Sequence, residues 1–392
     1  MPSRPAADAG PVRVTLVLDV AAVGGAEIVL RDTFAHLDRA RVVTDVVCLR
    51  EPGPLADDFR AVSDGLTTLP RGGRLGLARV PRLVRHFRRR GTDVAVVSHH
   101  HRAALTLARV AARLTGRTRS VIAAHDMDLT RVGGRVLPRY VVETLFLSQG
   151  LALLAPSQGR YLHDEEGVGT SWRSRVREYL VPNGIPASAL PTAAEHAARR
   201  AEVRAELGVG DDDVVVLMVA RLSPQKAHEV MLDALARAAH PRLRLVVVGD
   251  GKRRAELETL VAERGLGATV TFLGLRRDVP RLLAGGDVFA LSSVHEGVPI
   301  SVIEAMTAGL PVVSTDVGAL GDLVTEGEDG FLVPSGDAAA LAERLTRLAD
   351  DPALRAALGN RARTRARTEF TVENTAAAFT AMVESVTGRQ AA

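Results

Sequence analysis

Cysteine occurs once in 392 residues, at Cys48, so no internal disulfide can form and a reducing, cytoplasmic setting is expected. Aromatic residues make up only 3% of the chain, which leaves Val, Leu, Ile and Ala to fill the cores. Long apolar runs are also missing. None reaches the roughly 20 residues that a membrane-spanning helix needs, and the nearest, residues 141–154, is interrupted by Glu143 and Gln149. The run 12–22 follows Arg4 and Arg13 as a signal-peptide core would, yet it contains Asp19 and leads into Gly24-Gly25, the pattern of a first buried strand and its turn. Neither a Walker A sequence nor the G-x-G-x-x-G spacing occurs, which excludes the standard P-loop and dinucleotide fingerprints. With one thiol, and no Ser-His-Asp grouping readable from spacing, covalent catalysis of those types is not expected.

What is present fits a globular protein of two domains: 46% hydrophobic and 24% charged residues over a length too great for one ordinary core. The net charge of +4 conceals an asymmetry. Residues 1–185 carry 27 Arg against 18 Asp plus Glu, a net +9, and the remainder is at −5. The cluster Arg82, Arg85, His86, Arg88, Arg89 and Arg90 is suited to an anionic lipid surface or an acidic acceptor; the alternative is a solvated helix face. Nucleic acid is not an expected partner.

Short Val-rich runs alternate with amphipathic segments. Strands are expected at 12–20, 42–49, 93–98, 120–124 and 151–155, with helices at 26–37, 75–90, 102–114, 135–147 and 158–166. After Pro182-Asn183-Gly184-Ile185-Pro186 the pattern restarts. Strands are expected at 214–220, 243–249, 270–273, 288–291, 312–314 and 331–333, and helices at 227–239, 253–264, 299–308 and 338–349, then 354–386 with a bend at Phe370-Thr371. Continuous apolar strands separated by helices imply parallel sheets covered on both faces. The fold class is therefore α/β, with two Rossmann-like, doubly wound parallel-sheet domains facing each other across an interdomain cleft.

Residues 292–309 hold the most chemistry. Glu296 lies in a polar turn after a short strand, and Glu304 lies inside an apolar helix expected to open at Pro299. The free N–H groups of such a helix start favour phosphate. Phosphate-seeking backbone between two hydroxyl-seeking carboxylates suits a sugar nucleotide, although a solvated Glu296 and a water-facing Glu304 would read alike. Arg221 and Lys226 follow the first strand of the second half, and one planar fork plus one compact charge can neutralise a diphosphate from two directions. Lysine is otherwise found only at Lys252, so its place here is conspicuous. Gly24-Gly25-Ala26-Glu27 and Gly249-Asp250-Gly251 allow close backbone approach, or form simple tight turns. Asp126-x-Asp128 has oxygen ligands of the kind Mg²⁺ prefers, but the two cations already supply the charge, so no metal is expected. His125 beside it can point at the ligand. His99 and His100, at another strand end, are either acceptor contacts or loop residues, and consecutive side chains diverge too far for His99, His100 and His101 to share a metal.

The combination of Gly24-Gly25-Ala26-Glu27, Val181-Pro182-Asn183-Gly184-Ile185, Arg221 with Lys226, Gly249-Asp250-Gly251, Phe272-Leu273-Gly274, Glu296-x₇-Glu304 and Glu328-Asp329-Gly330-Phe331-Leu332-Val333-Pro334 resembles the retaining GT-B glycosyltransferases of family 4, also called group 1. The resemblance implies an acceptor-binding domain at 1–185, a nucleotide-sugar-binding domain at 186–370, and a segment 371–392 whose helix crosses back to the first domain. It implies that Arg221 and Lys226 bind the donor diphosphate, Glu304 the ribose and Glu296 the transferred sugar. Gly297, Val298, Pro299 and Ile300 would help hold phosphate, Gly24, Gly25 and Gly249 would line the donor site, and His125 would touch the donor sugar near the reacting centre. One departure bears on donor identity: Val317-Gly318-Ala319-Leu320-Gly321 stands where many relatives have a Gly-Gly pair.

The expected reaction is transfer of a sugar from a nucleoside diphosphate, UDP first and GDP next, to a hydroxyl of a glycan, a lipid-linked glycan or a small molecule. No cofactor or metal is expected, and the setting is cytoplasmic, with peripheral contact at the inner membrane face. A sugar-nucleotide epimerase or hydrolase of related fold, and a binding protein without catalysis, are the alternatives.

Overall fold

Uninterrupted runs such as Val214–Val219 have no polar face to give to water, so they settle in the middle of a parallel sheet with helices on both sides. The computed structural model describes residues 10–69, 78–98, 101–125, 127, 131–132, 135–136, 148–166, 176–186 and 193–389. It divides into two units, Met1–Gly184 with Val372–Ala392, and Ile185–Thr371.

Unit 1 contains β1 (Val12–Leu18), β2 (Val42–Cys48), β3 (Leu66–Thr68), β4 (Val94–Ser98), β5 (Arg119–Ala123), β6 (Arg131–Val132), β7 (Arg135–Val136), β8 (Gly150–Leu153) and β9 (Arg177–Leu180). Seven of them form a parallel sheet in the order β3-β2-β1-β4-β5-β8-β9. In β1 successive side chains enter opposite cores. Leu16 joins Phe34, Phe59 and Phe379 on one face, while Val17 joins Leu83, Phe87 and Ala108 on the other. The ring of Phe34 meets Phe59 and Phe379 edge-on at 6.3 and 5.9 Å. The helix Val372–Thr387 thereby packs on the helix Gly25–Ala35, and the Thr375 hydroxyl donates to the Pro182 carbonyl at 2.9 Å. The helix expected at 135–147 does not begin as one. Arg135 and Val136 form β7, antiparallel to β6, with Arg131 opposite Val136 and Val132 opposite Arg135. Residues 137–147 lie outside the described residues.

Unit 2 contains β10 (Val214–Val219), β11 (Leu243–Val248), β12 (Val270–Gly274), β13 (Val288–Leu291), β14 (Val312–Thr315) and β15 (Gly330–Val333), parallel in the order β12-β11-β10-β13-β14-β15. The expected helix at 299–308 runs from Ile300 to Ala308. Pro299 precedes it with ψ 118°, outside the helical range, because its ring fixes φ but leaves ψ free. The chain after β15 forms the helices Ala338–Asp350 and Pro352–Glu369, each started by an aspartate, Asp337 or Asp351, whose side chain accepts backbone N–H groups. Among the described residues no helix is long and apolar enough to cross a membrane.

Candidate functional site

In an open parallel sheet, ligands gather at the carboxyl ends of the strands where the strand order reverses. In unit 2 that point lies between β10 and β13, and the two connections leaving it are 220–227 and 292–299.

These connections are joined by side-chain chemistry. Lys226 ends a short 3₁₀ turn, Pro224–Lys226, and its Nζ lies 2.5 and 2.6 Å from the two carboxylate oxygens of Glu296. The Ser293 hydroxyl donates to the same carboxylate at 2.6 Å. Gln225 Nε2 donates to the His295 carbonyl, the Val294 N–H donates to the Gln225 carbonyl, and the Ser292 hydroxyl reaches the carbonyls of Lys226 and Ala227. Glu296 is 3% exposed, so its charge is balanced within the protein. Arg221, at the start of the Lys226 connection, is exposed and has no ion-pair partner among the described residues.

The Glu296 connection leads into the helix Ile300–Ala308, and Glu304 sits in its second turn. Burial pushes the Glu304 carboxyl up to about 7, so it holds a proton part of the time at neutral pH. The Gly297 carbonyl accepts the N–H of Ala319, a fully buried residue. The side chain that distinguishes Ala319 from a glycine therefore faces the interior. Gly249 has φ +141°, and a Cβ there would fall 2.1 Å from the Ala220 carbonyl. Only glycine lets the connection after β11 lie this close to that after β10.

Two residues gain importance that composition and spacing did not give them. Ala227 adopts φ 43° and ψ 48°, a left-handed conformation unusual for alanine. His228, the first residue of the helix His228–Ala238, is 2% exposed, and neither ring nitrogen has a hydrogen-bond partner among the described residues. Burial pushes its imidazole down to about 4, so it is neutral at physiological pH.

In unit 1 the order reverses between β1 and β4. Gly24 is extended, at φ −149°, and Gly25 opens the helix Gly25–Ala35. Glu27 in its first turn is 4% exposed and lies 3.0 Å from Nε2 of His101, which is 7% exposed. His101 Nδ1 accepts the Asp19 N–H at 3.0 Å, and the Asp19 carboxylate accepts the Ala104 N–H at 2.9 Å at the start of the helix Arg102–Thr115. His125 has both ring nitrogens shielded from solvent. It lines a cavity of about 20 Å³, room for one water, together with Thr33, Asn183 and Thr375. His99, His100, Asp126 and Asp128 lie outside the described residues.

The structure therefore brings Lys226 and Glu296 into direct contact, with Arg221 on the first of the two connections and Glu304 on the helix after the second. The His101–Glu27 pair was not anticipated. Its only signal is a glutamate three residues after a glycine at a helix start, because the two partners are 74 residues apart.

Two family models match the chain: "Glycosyl transferases group 1" over residues 199–365 and "Glycosyltransferase Family 4" over residues 23–187. The EpsF protein of Bacillus subtilis (strain 168) is 28% identical over 312 residues, 78% of this chain and 79% of that one. The alpha-D-kanosaminyltransferase of Streptomyces kanamyceticus is 35% identical over 166 residues, 41% of this chain and 43% of that one, so the match spans less than half the length of that relative. Among solved structures, Anabaena HepE in complex with UDP has a TM-score of 0.80 at 22% identity, covering 95% of this chain and 100% of that one. The fold is GT-B.

Proposed function

We propose, from the premise that this chain belongs to the group 1 glycosyl transferases of family 4, that it moves a sugar from a nucleoside diphosphate donor to an acceptor hydroxyl, with retention at the anomeric carbon. UDP is the first choice of nucleotide, supported by the UDP seen in HepE, and GDP is the next. The acceptor is a glycan, a lipid-linked glycan or a small molecule.

The observation that carries this reading is the Lys226–Glu296 pair at the strand-order reversal of unit 2, with Arg221 exposed on the same connection. As the glycosidic bond breaks, negative charge grows on the leaving diphosphate. Arg221, Lys226 and the first N–H groups of the helix Ile300–Ala308 are fixed positive groups that stabilise it without reorganisation. Glu296 then accepts hydroxyls of the transferred sugar and Glu304 those of the ribose. The leaving phosphate takes the acceptor proton, so no protein nucleophile is required. Two cations neutralise the diphosphate without a metal.

A thermal-shift panel with UDP, GDP, ADP and dTDP, each with and without chelator, identifies the base and tests metal independence. NMR of the product from the matching sugar donor then reads the anomeric configuration. Donor turnover without an acceptor would favour an epimerase or hydrolase, and tight donor binding with no product would favour a binding protein.

The single cysteine supports a cytoplasmic setting, and the basic first half supports peripheral contact with the inner membrane face. Arg85, Arg88 and Arg89 of the helix Arg79–Arg90 are exposed around an open groove that also contains Val80, Val84 and Leu114, the last 58% exposed. Co-sedimentation with anionic but not zwitterionic vesicles, lost on replacing the three arginines by serine, is the expected result.

A further inference from the structure

We propose that His101 and Glu27 are positioning residues: the imidazole fixes the Glu27 carboxylate across the start of the helix Gly25–Ala35 and so sets the Gly24-Gly25 backbone before any ligand arrives. This inference rests on the glycosyl-transfer reading, in which unit 1 takes the acceptor and Gly24 and Gly25 line the donor site.

The pair spans the place in unit 1 where the strand order reverses. Glu27 follows β1 and His101 follows β4, the two strands between which the order reverses and where a ligand is expected to gather. The hydrogen bonds determine the tautomer. Nδ1 accepts the Asp19 N–H, which leaves the proton on Nε2, and Nε2 donates to Glu27 Oε1 at 3.0 Å. Asp19 also accepts the Ala104 N–H, so the ring is held from both ends by groups that are themselves held.

Glu27 in turn holds the glycines. It sits in the first turn of its helix, where a carboxylate meets the positive end of the helix dipole. A Cβ on Gly24 would fall 2.5 Å from Glu27 Oε2, so carboxylate and loop backbone are in contact with no space for a side chain. The Glu27 side chain itself faces the start of this helix. The loop geometry is thus supported by contacts within unit 1.

Removing the imidazole leaves a buried carboxylate without that donor and frees the loop to shift. A displacement of about 1 Å in a reacting geometry can cost on the order of a hundredfold in rate. The experiment measures turnover and nucleoside diphosphate affinity for the wild-type protein and for His101→Ala, His101→Gln, Glu27→Ala and Glu27→Gln, each checked for folding by circular dichroism. The alanine variants are expected to lose about tenfold or more in kcat, with a smaller fall in nucleotide affinity because Gly24 and Gly25 line the donor site. His101→Gln, whose amide can donate to Glu27, and Glu27→Gln, whose carbonyl oxygen can accept from His101, are expected to recover most of the loss.

A folded His101→Ala protein with wild-type turnover overturns the inference. So does a loss that the glutamine variants fail to recover, or one in which nucleotide affinity falls in parallel. A wild-type protein that neither binds a nucleoside diphosphate nor forms a glycoside sinks the functional reading instead. The ¹⁵N spectrum of His101 is independent of activity: a neutral Nε2–H tautomer is expected, and an Nδ1–H tautomer overturns the inference.

Discussion

Lys226 and Glu296, 70 residues apart, form a two-pronged ion pair at 2.5 and 2.6 Å that joins the connections after β10 and β13. Each is the other's counter-ion, and Glu296 is buried. Lys226→Ala therefore removes more than a donor contact. It strands a buried carboxylate, which costs about 3–5 kcal/mol of stability. Glu296→Gln keeps acceptor and donor atoms within reach of Lys226 and Ser293, and should fold normally while losing transfer. The double variant should regain most of the stability lost by Lys226→Ala but none of the activity. Urea denaturation alongside a transfer assay checks this, and a Lys226→Ala protein as stable as wild type would contradict the counter-ion role.

Ala227 and Ala239 flank the helix His228–Ala238, and both have φ 43°. The left-handed region costs a residue with a Cβ roughly 1–2 kcal/mol relative to glycine, partly offset by the greater unfolded-state freedom of glycine. Ala227→Gly and Ala239→Gly should each raise stability by about 0.5–1 kcal/mol on that balance. A fall in Tm for either variant would show that the alanine methyl group contributes more packing than the backbone strain costs.

The strands of both units were legible because a run such as Val214–Val219 can only be a buried strand. The edge strands β3, Leu-Thr-Thr, and β9, Arg-Glu-Tyr-Leu, and the short pair β6 and β7 were not, since each is stabilised by its neighbour and not by its own pattern. Nor was the helix Ala193–Leu207, whose Ala, Arg and Glu residues give only a weak apolar stripe. The chemistry at the strand ends was legible as residue types: Arg221, Lys226, Glu296 and Glu304 each follow an apolar run. Their pairing was not. Which charge meets which is decided by strand order, and strand order is a through-space property that no local spacing encodes.

Two groups of unit 2, Glu304 and His228, oppose each other in their pH dependence. Glu304 rises from 4.5 to about 7, so between those values the folded state binds the extra proton and stability falls as pH rises. His228 drops from 6.5 to about 4, so between those values the unfolded state binds the extra proton and stability rises with pH. Each effect is on the order of 3 kcal/mol over its full range, and they cancel where the windows overlap. Wild-type stability should be nearly flat from about pH 5 to 6.5 on that cancellation. Glu304→Gln should make it rise with pH, and His228→Leu should make it fall. Denaturation curves at three pH values test the signs, and parallel profiles for both variants would refute the assignment.

Glu304 also ties nucleotide binding to protons. At pH 6.5 a carboxyl titrating at about 7 is mostly protonated. Ribose hydroxyls that donate to it favour the ionised form, so binding should expel part of its proton, about half or more at that pH. UDP affinity should then strengthen as pH rises towards 7.5 and level off above it. The terminal phosphate of UDP titrates in the same range, so the informative quantity is the difference between wild type and Glu304→Gln. Calorimetry at pH 6.5 in two buffers of different ionisation enthalpy gives the proton count for each protein. Greater release from wild type than from the variant is the expected result. Equal counts would mean that the Glu304 carboxyl does not change its ionisation when the nucleotide binds, and the ribose would need another acceptor.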